Sequence, residues 1–105
     1  MQTFAAFVKE INSLAEAVGG ASNSSIRAKA HNKAARAHEL AIKSPSLKNH
    51  NQSNKLSKIA RFMSSKHGND TEKTSANKAR YWSGVGDHQE AAINHINSAK
   101  IAKLS

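Results

Sequence analysis

The sequence predicts an all-α protein, a small bundle of antiparallel hairpins with about four to five helices. Apolar residues recur at helical spacing in several segments, and no segment alternates apolar and polar residues as a strand does. Capping or helix-breaking residues stand between these segments. The chain has 105 residues, which is the length of a single domain. Together these observations favour helix-on-helix packing around one modest core.

The first predicted helix covers residues 1–18. Gly19-Gly20 ends it, because glycine readily terminates a helix. The polar segment 19–25 is predicted to be a linker to a basic helical domain at residues 26–105. The apolar face of this helix comprises Phe4, Phe7, Val8, Ile11, Leu14, Ala15 and Val18.

Two further helices are predicted in the middle of the chain. One runs from about Ser24 to Lys43 and carries a narrow stripe of small residues. Serine followed by proline at Ser44-Pro45 is a helix-start signal, so the next helix is predicted to run from Pro45 or Ser46 to about Lys66. The two apolar faces comprise Ile26, Ala30, Ala34, Ala37 and Ala41, and Leu56, Ile59, Ala60 and Met63.

The remaining residues are predicted to form a hairpin of two shorter helices. Asn69 and Glu72 have the spacing of a capping box and start the first of them. Asp87 and Glu90 have the same spacing and start the second, after the turn at residues 83–86.

Tyr81 and Trp82 fall at the end of the first helix of this hairpin. Exposed rings there could stack on nucleic-acid bases. We expect them instead to anchor the hairpin in the core, because few other large side chains are available.

Six histidines raise the question of a metal site. His31 and His38 are seven residues apart, as are His88 and His95, within similar Ala-Ala segments that suggest a weak internal repeat. Seven residues span about 10 Å of helix, so one ion cannot bind both members of a pair. The i, i+4 spacing of helical zinc sites is absent. We expect that these rings bind no metal and are partly buried. A metal site shared between helices is an alternative that the sequence leaves open.

No catalytic constellation is apparent. The sequence lacks a glycine-rich phosphate loop, and Asp70, Asp87, Glu72 and Glu90 are accounted for as helix starts and their capping partners. The chain has no cysteine, which excludes disulfides, thiolate metal sites and cysteine catalysis. We therefore expect a non-enzymatic protein without a cofactor. No apolar stretch approaches the roughly 20 residues that cross a bilayer, so we expect no membrane partner.

Positive charge is concentrated in residues 24–66. The whole chain carries a formal +9, and this segment has a single acid, Glu39. Clustered Lys and Arg neutralise phosphates and release counterions, which predicts binding to nucleic acid. No zinc finger, helix-turn-helix or RNA-recognition motif is present, so the binding should not depend on sequence. The predicted contacts are Arg27, Lys29, Lys33, Arg36, Lys43, Lys48, Lys55, Lys58, Arg61 and Lys66.

The first ten residues, Met1-Gln2-Thr3-Phe4-Ala5-Ala6-Phe7-Val8-Lys9-Glu10, resemble the capsid-targeting leader of internal head proteins of myoviruses, which are tailed bacteriophages. That leader is typically Met-Lys-Thr-aromatic-x-x-Phe-aliphatic-x-Glu, from which Gln2 departs. In the family, a prohead protease removes the leader by cleaving between a Glu and a small residue, where the Glu follows Leu or Ile and one small or polar residue. Leu14, Glu16 and the following Ala17 fit that rule.

The resemblance implies a virion protein packaged with DNA in the phage head interior, with capsid or prohead core proteins as further partners. Two alternatives stay open. One is a helical protein–protein module, such as a scaffold or an ejected inhibitor of an acidic host protein in the host cytoplasm. The other is a bacterial nucleic-acid-associated protein that keeps its N-terminus. The last hairpin also resembles a tetratricopeptide unit, but only one copy is visible and stacked repeats need several.

Overall fold

The computed structural model describes residues 23–104, which form four α-helices. These are α1 (Ser24–Lys43), α2 (Leu47–His67), α3 (Asp70–Gly84) and α4 (His88–Leu104). Each helix packs on the next along the chain, and α4 returns to pack on α1. Because the connections are short, neighbouring helices are antiparallel and close into an up-down-up-down bundle. The predicted all-α bundle of hairpins is confirmed for these residues.

Asn23 determines where α1 begins. Its Oδ1 accepts hydrogen bonds from the backbone N–H groups of Ser25 at 2.8 Å and Ile26 at 3.3 Å. These bonds satisfy two of the backbone donors that a helix start leaves unpaired. The predicted helix boundary near Ser24 is confirmed. Ser24 and Ser25, the last residues of the predicted 19–25 linker, are helical.

The start of α2 lies slightly beyond the predicted Ser44-Pro45 signal. Ser44 ends α1 instead, by donating its N–H to the Leu40 carbonyl at 2.8 Å. Ser46 is the N-cap, and its Oγ accepts from the Asn49 N–H at 3.1 Å. The serine after the proline therefore caps the helix, and Pro45 stays outside it.

The capping residues of α3 and α4 act as predicted, with one correction. Asn69 Oδ1 accepts from the Glu72 N–H at 2.8 Å, and Asp87 Oδ1 accepts from the Glu90 N–H at 3.1 Å. The Glu72 side chain, however, does not complete a capping box but lies fully buried in the bundle. Gly86 occupies the α3–α4 turn with a φ of 82°, a conformation that favours glycine.

Small and polar side chains fill the core. Ala34 of α1 packs against Leu56 and Ala60 of α2, and Ala28 packs against Ala99 and Ala102 of α4. Alanine lets helices approach closely but buries little apolar area, so the hydrophobic contribution to stability is small. The fully buried side chains of largest volume are polar: His31, His38, His95 and Glu72, followed by serines.

Tyr81 does not anchor the hairpin, which corrects the expectation for that ring. It is 62% exposed, whereas Trp82 is half-buried beside it. The two rings meet edge to face with centroids 5.1 Å apart. Because Ala76, Ala79 and Ser83 occupy the inward face of α3, Tyr81 is turned outward.

Some predictions fall on residues 1–22, outside the described part of the chain. They include the 1–18 helix, the leader resemblance and the cleavage residues Leu14, Glu16 and Ala17. Within residues 23–104, no helix combines the length and apolar character needed to cross a membrane.

Candidate nucleic-acid interface and its polar core

The seven-residue spacing of the histidines pairs rings across two helices. Because α1 and α4 are antiparallel, an equal spacing on both places His31 opposite His95 and His38 opposite His88. The two Nδ1 atoms lie 2.9 Å apart in the first pair and 2.7 Å apart in the second. His38 also stacks on His95, with centroids 5.7 Å apart. The predicted burial of these rings is confirmed, and the spacing builds the α1–α4 contact.

A buried ion pair between Arg27 and Glu72 is connected to the first histidine pair. Arg27 Nε donates to Glu72 Oε2 at 2.9 Å, and Nη2 donates to Oε1 at 3.2 Å. Arg27 is only 3% exposed and Glu72 is fully buried. Arg27 shares the inward face of α1 with Ala28 and His31. Its predicted place on the exposed basic surface is therefore wrong.

The charge of Glu72 determines the tautomers of His31 and His95. Ser64 Oγ donates its single hydrogen to Glu72 Oε2 at 2.6 Å, so it must accept from His31 Nε2, also at 2.6 Å. Neutral His31 therefore carries its proton on Nε2 and accepts at Nδ1. His95 then donates from Nδ1, and its Nε2 accepts from Ser57 Oγ at 2.8 Å.

A second chain of bonds determines the tautomers of the other pair. Arg80 Nη1 and Ser83 Oγ both donate to Asn54 Oδ1, at 3.3 and 2.5 Å, which orients the amide. Asn54 Nδ2 then donates to His50 Nε2 at 3.1 Å. His50 Nδ1 in turn donates to His88 Nε2, also at 3.1 Å.

The second chain ends on an unpaired donor. His88 must donate from Nδ1 to His38 Nδ1, which leaves the His38 proton on Nε2. That nitrogen is buried and has no hydrogen-bond partner among the described residues. A buried donor without a partner costs about 1–3 kcal/mol, so this end of the network is its weakest point.

The network requires neutral imidazoles. Burial lowers the pKa of His31 and His38 to about 4 and that of His95 to about 2. Burial, followed by the neighbouring His50, also lowers the pKa of His88. Protonation of either member of a pair would place two N–H donors against each other.

Gly68 leaves the space that the Glu72 carboxylate occupies. A Cβ at this position would lie 2.6 Å from Glu72 Oε2 and 2.8 Å from the Ser64 carbonyl oxygen. By contrast, the nearest atom to a Cβ at Gly84 is a flexible Arg80 nitrogen at 4.0 Å.

The outer faces of α1 and α2 are basic. Of the ten predicted contacts, eight are exposed and Lys55 is half-buried; only Arg27 is buried. None of the other nine side chains has a carboxylate partner within residues 23–104. The nine are Lys29, Lys33, Arg36, Lys43, Lys48, Lys55, Lys58, Arg61 and Lys66.

A groove of about 360 Å³ runs between α2 and α3 within this basic region. Its cationic lining comes from Lys48, Lys55 and Lys58 of α2 and from Arg80 of α3. Amides from Asn51, Gln52 and Asn54 complete the polar lining, with no acid among the lining residues. Sequence reasoning missed Arg80, because nothing in the α3 sequence alone shows that it faces α2.

The histidine network does not assemble a metal centre in the part of the chain that the structure describes. No group of three or more His, Asp or Glu side chains there is arranged to hold an ion. No protein-family model, curated protein or solved structure matches this chain.

Proposed function

We propose that this protein is non-enzymatic and binds DNA through the basic outer faces of α1 and α2, by contacts to phosphates that do not depend on sequence. One observation carries the proposal: residues 24–66 present eight exposed bases and the half-buried Lys55, none with a carboxylate partner within the described chain, alongside a single acid, Glu39. A cationic surface of this extent concentrates anions and accelerates their association. Such a surface binds a polymer of phosphates more tightly than a small anion, because each contact with the polymer also releases a condensed counterion.

The shape of the bundle supports contact with a backbone. Because α1 packs directly on α2, the two basic helices lie side by side. The described chain is flattened, with extents of 35 × 28 × 17 Å. Asparagines interspersed among the bases, such as Asn51 and Asn54, can donate to phosphate oxygens as well.

Charge reversal tests this surface. We expect the triple variant Lys55→Glu, Lys58→Glu and Arg61→Glu to lose duplex-DNA binding, because it replaces three phosphate contacts with repulsion. Fluorescence anisotropy with a labelled duplex measures the effect. The unmodified protein should lose affinity steeply as salt rises from 50 to 200 mM, by about 0.9 log unit per log unit of salt for each phosphate contacted.

A matched control separates this surface from net charge. Lys78→Glu, Lys100→Glu and Lys103→Glu change the charge equally, but these lysines lie on the exposed faces of α3 and α4. We expect this variant to keep most of the affinity at low salt. Equal losses of DNA affinity in the two variants would overturn the proposed surface. So would an affinity of the unmodified protein that does not change with salt concentration.

We further propose that the protein works inside a phage head, a location supported by the leader resemblance alone. Intact mass spectrometry of the protein from its native source tests this. We expect a chain that begins at Ala17, cleaved after Glu16. A chain that retains residues 1–16 would contradict head processing and leave the DNA-binding proposal standing.

A further inference from the structure

We propose that the groove between α2 and α3 binds single-stranded nucleic acid, with phosphates along its basic wall and one base stacked on Tyr81. This inference rests on the proposed function, since it assigns a substrate class and a place to part of the same basic surface. The observation behind it is a groove of two adjoining segments, which share Arg80 and Gly84 and bring a row of cations next to an exposed aromatic ring.

The groove has two segments that meet at α3. The first contains Lys48, Lys55 and Lys58, and the second contains Arg61 and Tyr81. Arg80 and Gly84 line both segments, so the cations lead directly to the ring. A backbone that follows the lysines therefore arrives at Tyr81.

Two guanidinium groups face this groove, and neither has a carboxylate partner among residues 23–104. Arg61 Nε donates to Asn77 Oδ1 at 3.0 Å, and Arg80 Nη1 donates to Asn54 Oδ1. Both are therefore oriented by neutral amides that leave their charge uncompensated. Burial, followed by the nearby Arg61 charge, lowers the pKa of Arg80. A phosphate between these groups would relieve their repulsion.

Tyr81 is positioned to offer a stacking surface. It contacts the Trp82 indole in an edge-to-face arrangement, and it is 62% exposed. The ring also borders a second groove, between α3 and α4, but that groove contains Glu90 and a single lysine, Lys78. The balance of charge therefore favours the α2–α3 side for an anionic chain.

Stacking on Tyr81 requires an unpaired, unstacked base. In a duplex, both faces of every internal base are covered by neighbouring bases. In a single strand, a base can turn onto an aromatic ring while the phosphates follow the cations, and removal of such a ring costs about 1–3 kcal/mol per base. That range corresponds to a loss of affinity of roughly 5- to 150-fold.

The test compares an unstructured oligothymidine with a duplex of the same length. Anisotropy titrations at low salt would use the unmodified protein and the variants Tyr81→Ala and Tyr81→Phe. We expect Tyr81→Ala to weaken oligothymidine binding at least fivefold and to leave duplex binding within twofold. Tyr81→Phe should retain oligothymidine binding, because the ring remains. The control Ile93→Ala, which truncates an exposed apolar side chain on α4, should change neither.

The outcomes separate this inference from the proposed function. Duplex binding that depends on the basic surface, together with oligothymidine binding that Tyr81→Ala does not weaken, would overturn the single-strand groove and spare the function. The absence of salt-dependent binding to either nucleic acid would overturn both. Circular dichroism of each variant would confirm that the fold is intact.

Discussion

Acidification from pH 7.5 to 4.5 is expected to unfold much of the described bundle. His31 has a pKa of 6.5 when unfolded and about 4 in the folded state, where burial disfavours its charged form. Above pH 6.5 neither state binds the proton, and stability is unaffected. Between 6.5 and 4 only the unfolded chain binds it, so the free energy of unfolding falls as pH falls.

The charged and titratable neighbours do not reverse this sign. Glu72, from α3, favours the charged form of His31, but its effect is smaller than that of burial, and Arg27 opposes it. On the second pair, His50, His88 and Arg80 all lower the pKa of His38 further. Asp87 raises the pKa of His88, again by less than burial lowers it.

The expected magnitude is large for a domain of this size. The lowered pKa of His31, from 6.5 to about 4, costs about 3 kcal/mol by itself, and His38 and His95 add to this loss in the same direction. Many domains have only about 5–15 kcal/mol of total stability. At pH 5.5, above the usual range for carboxylate protonation, His31 by itself should cost about 1 kcal/mol.

Urea unfolding at a series of pH values, followed by far-UV circular dichroism, measures this loss. The matched control is His67→Gln, because His67 is exposed at the end of α2. This variant should show the same pH dependence as the unmodified protein. Unfolding free energies that stay constant between pH 7.5 and 5 would contradict a core of neutral, buried imidazoles.

Glu72→Gln is expected to destabilise the bundle strongly, although the two side chains have nearly the same shape. The substitution removes the buried carboxylate charge that accepts two hydrogen bonds from the Arg27 guanidinium. Breaking a buried pair in this way typically costs about 3–5 kcal/mol. Gln also has a single acceptor oxygen where Glu72 uses two, so it cannot accept from Arg27 Nη2 and from Ser64 Oγ as the carboxylate does. Urea unfolding at pH 7.5 measures the change.

Two comparisons isolate this effect. Glu39→Gln removes a carboxylate that is exposed on α1 and should alter stability by no more than about 0.5 kcal/mol. Gly68→Ala should also destabilise the fold, because its Cβ would displace the Glu72 carboxylate, whereas the Cβ of Gly84→Ala would make only an ordinary contact with Arg80 at 4.0 Å. If Glu72→Gln proved as mild as Glu39→Gln, the ion pair would not be the element that supports the polar core.

Helix boundaries were predictable because they depend on local chemistry. Asn69 and Asp87 cap their helices through side-chain bonds three residues away, and such spacing is visible in the sequence. The charged cluster on residues 24–66 was predictable for a similar reason. Clustered side chains that carry the same charge cannot all be buried, so most of them must lie on the surface.

Partners across helices were not predictable, because they depend on the register of packing. Arg27 has the same residue type as its exposed neighbours, and only its position on the inward face of α1 pairs it with Glu72. The histidine spacing was visible in the sequence. The pairing of the rings across helices could not be inferred from it, because that pairing depends on the antiparallel contact of α1 with α4. Tyr81 was assigned to the core on size alone, although Ala76, Ala79 and Ser83 form the inward face of α3.

Nuclear magnetic resonance mapping of a DNA titration would test the central claim, the basic α1–α2 surface, most directly. With ¹⁵N-labelled protein and a short duplex at low salt, amide shifts should change along the exposed basic stretches of α1 and α2, and added salt should reverse them. Residues on the outer face of α4 should stay unchanged. Shifts confined to α4, or no shifts at any salt concentration, would contradict a DNA-binding surface on the two basic helices.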